Sequence, residues 1–451
     1  NQYLPFLIAG VAGLSLLWYF GKPAILLTIL SLFILTRGDL GEAIRWSIIF
    51  AGVASIIYLN FHEKLKSPDL KIPVPKPLLY LTLFLTLFTF ISATLSLNPT
   101  AGYIAGAKQF FFLFVIYLLY RLCNSDKIMF TYLGVMVISA VVISGGVILD
   151  LFSMTISSLA ANQGPLRVMG SFGSTNAQAA VLSTALVLIP AFFHILSEKH
   201  KVLRFSVIPV FLFIASGLIF YNSRAAILLL ISGLSLYFVI LKPAYITRIL
   251  AASVILLLVI LFVKPVNDLV VFFFRVEHLL NIRDHLWAIS ADLIKEFPVF
   301  GTGPEQFKEH SYKYMPVMLG SYEEGKIKFL FQVSNPAGLS HNFLLFKWTE
   351  LGIPGLISAL SLYGIFGYYS IKTLIQTKML RNYYFYIAAS TVAIGTGFFV
   401  RSIFESINLL TYGWFMVDTP FWLIFIVLIY IYNKTGENSS EFSSKESSDI
   451  S

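Results

Sequence analysis

Long apolar runs separated by short polar turns recur along nearly the whole chain. They fall at 5–20, 22–36, 43–60, 77–97, 105–122, 129–150, 176–196, 203–220, 224–241, 246–263, 342–370, 383–400 and 419–433. A helix needs about 20 mainly apolar residues to cross a bilayer, and most of these runs reach or approach that length. The pattern predicts an all-α polytopic membrane protein of twelve or thirteen spans, the first two being short. The run from 342 exceeds the crossing length, so it is expected to tilt or to emerge from the bilayer. No A-x-A-like cleavage site follows the first run, and a cleavable signal peptide is not expected.

The chain divides into N-terminal spans over 1–263, a large loop over 264–341, further spans over 342–433 and a polar tail over 434–451. Inside the loop, RDHLWAISADLIKEF (283–297) places Leu286, Ile289, Leu293 and Phe297 on one helical face and charges on much of the other. Pro298, Gly301, Gly303 and Pro304 then stop that helix. A cap lying across the membrane mouth is expected here, rather than a separate globular domain. The tail, KTGENSSEFSSKESSDIS, is serine-rich and is expected to be disordered and cytoplasmic.

Composition agrees: 57% of the 451 residues are hydrophobic and only 12% charged. So few charges could not cover a soluble protein of this size. The single cysteine, Cys123, excludes an intramolecular disulfide and a cysteine-based zinc site. The net charge of +9 is placed by the positive-inside rule and needs no nucleic acid to explain it. Lys64, Lys66, Lys71 and Lys76, then Lys199, Lys201 and Arg204, mark two connections as cytoplasmic, as do the basic stretches 242–248 and 372–381. By alternation the stretches 97–105, 150–175, 220–224, 264–341 and 401–418 face outward.

Polar groups are expensive in a membrane, so chemistry is best sought where they persist. Arg167 lies in the outward stretch NQGPLRVMGSFGSTNAQAA, whose Asn176 and Gln178 open the next span. Asn222 and Arg224 sit in a turn so short that the arginine must lie at the membrane surface; read alone, it also fits a snorkelling anchor. Arg283 heads the amphipathic helix, where it could instead be a solvated charge paired with Asp284. His341 and Asn342 stand at the mouth of a long apolar run, where a histidine could simply cap the helix. Lys108, near the outer end of its span, is a further cation or a lipid-facing lysine. Lys347 and Glu350 have the spacing to neutralise one another on one helix face. Topology brings Arg167, Arg224, Arg283 and His341 to one face, which describes a site for a phosphate-bearing lipid: guanidiniums bind phosphate oxygens bidentately and keep their charge when desolvated. The other histidines lack metal-ligand spacing, and neither a DxD pair nor a Walker A motif is present.

The ordered motifs RVMGSFGSTNAQAA (167–180), NSRAAILLL (222–230), RDHLWAISADLIKEFPVFGTGPEQF (283–307) and SHNFLLFKWTELGIPG (340–355) resemble those of the O-antigen ligase and polymerase superfamily. The likeness covers roughly 165–370. It implies a GT-C-type glycosyltransferase bundle of about twelve spans in the bacterial inner membrane, with one large periplasmic loop. Such an enzyme takes a glycan from undecaprenyl diphosphate at the periplasmic face and passes it to an acceptor, without metal or cofactor and with inversion. Carried over, Arg224 and Arg283 would bind the diphosphate and His341 would be the general base. Arg167, Asn176, Asn222, Lys108 and Asn342 are the further substrate-binding candidates. Histidine's ordinary pKa of about 6.5 suits a base acting near neutrality, and fixed cations can stabilise a departing diphosphate in place of a metal.

Three functions share these motifs: a ligase acting on lipid A–core, a polymerase acting on another lipid-linked repeat, and an O-oligosaccharyltransferase acting on a protein. The single cap and the compact C-terminal region favour the ligase. A lipid or solute transporter would also have many spans and intramembrane charges. Against it stand the absence of an obvious inverted repeat and the gathering of polar groups at one face.

Overall fold

The computed structural model describes residues 21–36, 42–66, 75–153, 175–199, 202–274, 283–314, 339–380 and 382–448. Fifteen α-helices and a 3-10 turn carry them, with no strand among the described residues. The helices are α1 (Lys22–Leu35), α2 (Glu42–Lys66), α3 (Lys76–Thr94), α4 (Pro99–Leu122), α5 (Asp126–Ser153), α6 (Thr175–Lys199), α7 (Val207–Tyr221) and α8 (Arg224–Leu241). They continue as α9 (Tyr245–Phe262), α10 (Lys264–Phe274), α11 (Arg283–Glu296), α12 (Phe307–Tyr314), α13 (Phe343–Lys378), α14 (Tyr383–Ser402) and α15 (Phe415–Ser448). Eleven are long and apolar enough to cross a membrane, and α1 is a shorter apolar helix. The all-α, multi-pass architecture is thus as the hydrophobic pattern predicts. The first apolar run, 5–20, lies outside the described residues.

At the centre, α6, α14 and α15 are buried over most of their lengths, whereas α9 buries none of its residues and lies at the periphery. Helix α8 runs along α14, where a Cβ on Gly397 would stand 2.8 Å from the Leu229 carbonyl oxygen. Small residues let helix backbones approach closely where lipid supplies no hydrophobic drive to association. Reading the helices in turn, the starts of α4, α6, α8, α13 and α15 and the ends of α3, α7 and α14 gather at one end of the bundle. The ends of α2, α8 and α13 and the starts of α3 and α9, which carry Lys64, Lys76, Lys242, Arg248 and Lys378, gather at the other.

The long apolar run from 342 is a broken helix. At Gly352 the backbone takes φ 65°, ψ −151°, which separates 343–351 from the segment that follows. The break orphans two carbonyls and one amide, because Pro354 has no N–H for the Glu350 carbonyl and Ile353 turns away from Thr349. The FPVFGTGP turn after α11 supplies the missing partners. Thr302 N–H donates to the Thr349 carbonyl (2.9 Å), Gly303 N–H to the Glu350 carbonyl (2.9 Å) and Ile353 N–H to the Pro298 carbonyl (3.1 Å). A Cβ on Gly352 would overlap the Val299 carbonyl, and one on Gly301 the Glu350 backbone, so both glycines are needed for this backbone-to-backbone seam.

Helix α11 spans Arg283–Glu296 and buries Leu286, Ile289 and Leu293, as its amphipathic pattern predicts. It packs on α13, and its C-terminal turn is locked to the break in that helix. Through this seam the residues at the starts of α11 and α13 are held in a fixed relation. At the C-terminus, α15 continues as helix to Ser448, where composition suggests an irregular tail.

Candidate functional site

Three distant segments converge on one carboxylate, which lies in a fourth. Glu405 lies in the stretch after α14 and its side chain is only 1% exposed. Its Oε1 accepts from Asn176 Nδ2 (2.7 Å) and Arg283 Nη2 (3.1 Å), while its Oε2 faces His341 Nδ1 at 3.2 Å. Burial alone would push the Glu405 pKa up, but His341, Arg401 and Arg283 outweigh it and hold the carboxyl down at about 2. Glu405 is therefore held as the anion at the centre of a cationic group near neutral pH.

His341 has φ 52°, a left-handed conformation that few non-glycine residues adopt and in which histidine is enriched. Its neighbours hold it there. The Asn342 N–H donates to Ser406 Oγ (3.0 Å), and Ser340 Oγ donates to the Asn342 carbonyl (2.9 Å) while meeting Ser406 Oγ at 3.3 Å. Asn342, not His341, caps α13, accepting from Leu345 N–H at 3.0 Å. The imidazole is thus available to Glu405, and 16% of its side chain stays accessible. With Nδ1 directed at a carboxylate, the neutral ring carries its proton on Nδ1 and leaves Nε2 as the basic nitrogen.

Arg283 pairs with Glu405 rather than with Asp284, and its Nε donates to the Phe404 carbonyl at 3.0 Å. A guanidinium has five N–H donors. Among the described residues those two contacts use two of the five. Arg401, fully buried at the end of α14, donates to the carbonyls of Ile407 (3.1 Å) and Asn176 (3.0 Å) and so ties the 403–407 turn to the start of α6.

Arg224 opens α8, directly after Ser223, whose hydroxyl donates to Asn176 Oδ1 at 3.1 Å. With Ser223 turned to Asn176, α8 starts without a side-chain cap. Asn222 is buried in a left-handed C-cap of α7 (φ 47°), the bend that puts Arg224 beside the cluster. Asn176 and Asn342 are engaged by the framework: Asn176 through Glu405, Ser223 and Arg401, Asn342 through capping and the Ile403 carbonyl (3.1 Å). Arg167 lies outside the described residues.

Lys108 belongs to a second polar group. There burial raises the Glu305 pKa, with Lys108 and Lys347 acting against it. Glu350 does not simply neutralise Lys347. Its carboxylate accepts the backbone N–H groups of Glu305 (3.1 Å) and Phe307 (3.4 Å), and the Lys347 ammonium lies 4.0 Å from the Tyr412 ring centroid. This group braces the cap on α13.

Sequence reasoning did not single out Glu405, Arg401, Ser223 or Ser406. A signal was present: Arg401 and Glu405 stand four apart where an apolar span meets an outward stretch, and a charge inside a span asks for a partner. Among the described residues no group of three His, Cys, Asp or Glu side chains is placed to hold a metal ion.

An all-α multi-pass membrane protein with a cationic, histidine-bearing site at one end of its bundle is the class that this fold and site define. The family model described as O-antigen ligase matches residues 209–360, from α7 into α13 and including Asn222, Arg224, Arg283, His341 and Asn342. The match covers less than half of the chain and agrees with the superfamily that its motifs resemble. No curated protein matches the chain.

Proposed function

We propose that the protein is an O-antigen ligase that transfers a glycan from undecaprenyl diphosphate to lipid A–core. The observation that carries this reading is the convergence of His341 and Arg283 on Glu405, beside Arg224. Arg283 and Arg401 act on Glu405 and Arg224 opens the adjoining helix, a cationic setting suited to a diphosphate. The basic residues at the opposite end of the bundle support a cytoplasmic placement for that end and a periplasmic one for the site.

The acceptor hydroxyl oxygen attacks the anomeric carbon, and the bond from that carbon to the diphosphate oxygen breaks. His341 Nε2 takes the hydroxyl proton. Undecaprenyl diphosphate departs with the bonding electron pair, and Arg283 and Arg224 stabilise its growing charge. Attack from the face opposite the leaving group inverts the anomeric centre. Glu405 positions the ring and stabilises the imidazolium as it forms, the part that a buried carboxylate plays beside a catalytic histidine elsewhere. It touches neither substrate, and it keeps Arg283 from drifting between donor turnovers.

The test is transfer by purified protein supplied with undecaprenyl-diphosphate glycan, with and without lipid A–core, read on a gel. Glycan on lipid A–core, formed only when core is supplied, is the expected result. A ladder of longer lipid-linked glycans without core would make the protein a polymerase instead. No product under either condition would overturn the ligase reading and favour a protein acceptor or a transporter instead.

A further inference from the structure

At the end of the bundle opposite His341, a cavity of about 460 Å³ opens between the starts of α3 and the later part of α13. Its wall is aromatic and polar: Tyr120, Tyr368, Tyr369 and Tyr432, with Asn433 and Lys76. Pro75 and Tyr120 also line a second, apolar groove of about 180 Å³ that continues between α3, α4 and α15. That groove is walled by Leu79, Leu83, Leu113, Phe114, Phe425 and Ile429, among others. Together the two form one feature with a polar mouth and an apolar shaft.

The shaft runs from Pro75 to Leu83 along α3 and from Phe110 to Tyr120 along α4. At 1.5 Å per residue that is on the order of 12–15 Å, about half of a ~30 Å hydrocarbon core. It is the depth of one leaflet. A polyprenyl carrier whose diphosphate lay at Arg283 would enter from the other one.

The mouth is also positive. Lys76 lines it, Lys372 lies one turn beyond Tyr368 and Tyr369 on α13, and Lys434 follows Asn433; all three are exposed. Among the described residues the carboxylates at this end have partners of their own, and Lys434 also faces one of them, Asp126, which leaves Lys76 and Lys372 as the mouth's cations. Asp126 accepts from the hydroxyls of Tyr383 (2.8 Å), Tyr384 (2.8 Å) and Tyr430 (2.7 Å). Glu63 pairs with Lys22 at 3.2 Å and accepts from Asn124 at 3.0 Å. Lysines at a membrane surface attract anionic lipid electrostatically, and phenols at headgroup depth present an apolar body with a polar tip.

We infer that this feature is a binding site for an anionic phospholipid of the leaflet opposite the His341 cluster. One acyl chain occupies the shaft, and the phosphate lies against Lys76 and the tyrosine hydroxyls. The site is separate from the transfer chemistry and does not depend on that reading.

The experiment uses the full chain, delipidated in detergent and offered equimolar phosphatidylglycerol and phosphatidylcholine, with retained lipid counted by native mass spectrometry. One phosphatidylglycerol per chain, favoured at least tenfold, is expected. Lys76→Gln should reduce that preference below threefold. Gly364→Trp provides an independent check: Gly364 lines the mouth, and a Cβ there meets no atom within 4 Å, so the indole fills the cavity without disturbing the helix. That variant should retain no lipid and keep the wild-type unfolding temperature. Equal retention of the two lipids by the wild type, an unchanged preference in Lys76→Gln, or full retention by Gly364→Trp would each overturn the proposal. So would displacement of phosphatidylglycerol by equimolar undecaprenyl phosphate, which would assign the shaft to the polyprenyl chain.

Discussion

His341 Nδ1 and Glu405 Oε2 lie 3.2 Å apart although 64 residues separate them in the chain. The contact joins the segment before α13 to the segment after α14, and through Glu405 it also reaches Arg283 on α11 and Asn176 on α6. A base, a cation and their shared counter-ion are thereby fixed by four helices rather than by one mobile loop.

Glu405→Gln keeps the shape and one acceptor oxygen but removes the charge that orients His341 and balances Arg283. Turnover should fall by at least 10-fold and by up to about 10⁴-fold, the loss when the carboxylate beside a catalytic histidine becomes an amide. Glu405→Ala should also cost about 3–5 kcal/mol of stability, because Arg283 and Arg401 would lose their buried counter-ion. Glycan-transfer rates and thermal unfolding of the two variants check this.

Acid should weaken the fold through the same residue. The Glu405 pKa is lowered from its ordinary 4.5 to about 2. Its contribution is therefore complete above about pH 4.5 and is lost as pH falls through about 2, a loss on the order of 3 kcal/mol. The unfolding temperature measured between pH 5 and pH 2 should drop more steeply for wild type than for Glu405→Gln.

Arg283→Lys should be damaging even though charge is conserved. An ammonium cannot hold the Phe404 carbonyl and Glu405 while offering a planar fork to a diphosphate. Affinity for the lipid-diphosphate donor should fall at least tenfold, as read by titration of the purified variant. Unchanged affinity would leave Arg283 a framework residue.

Much of this architecture is legible in the sequence. Run length reveals the spans, lysine distribution separates the two ends, and the period of Leu286, Ile289 and Leu293 reveals α11. The order of Arg224, Arg283 and His341 points to one face. Other features arise only when distant segments meet. Glu405 reads as an ordinary charge in an outward stretch until Asn176, Arg283 and His341 are brought to it. Glu350 has the spacing to pair with Lys347, yet the break at Gly352 sets the 304–307 turn beside it and two backbone amides claim the carboxylate. The length of the run from 342 predicts tilt or emergence rather than a break, and the partners of the backbone groups that the break frees lie some fifty residues earlier.

Gly352→Ala tests that seam. A side chain would be forced into a backbone region essentially confined to glycine, costing about 1–3 kcal/mol, and would also overlap the Val299 carbonyl. Loss of even two of the three backbone bonds adds about 1–3 kcal/mol. The unfolding temperature should fall, and limited proteolysis should cut the 298–307 turn faster than in wild type.

The most direct measurement is single-turnover transfer by His341→Ala, made beside donor binding by the same variant. A general base contributes about 10²- to 10⁴-fold. The variant should therefore bind undecaprenyl-diphosphate glycan within twofold of wild type and transfer it at least a hundred times more slowly. Transfer within tenfold of wild type would contradict the assignment of His341 as the base.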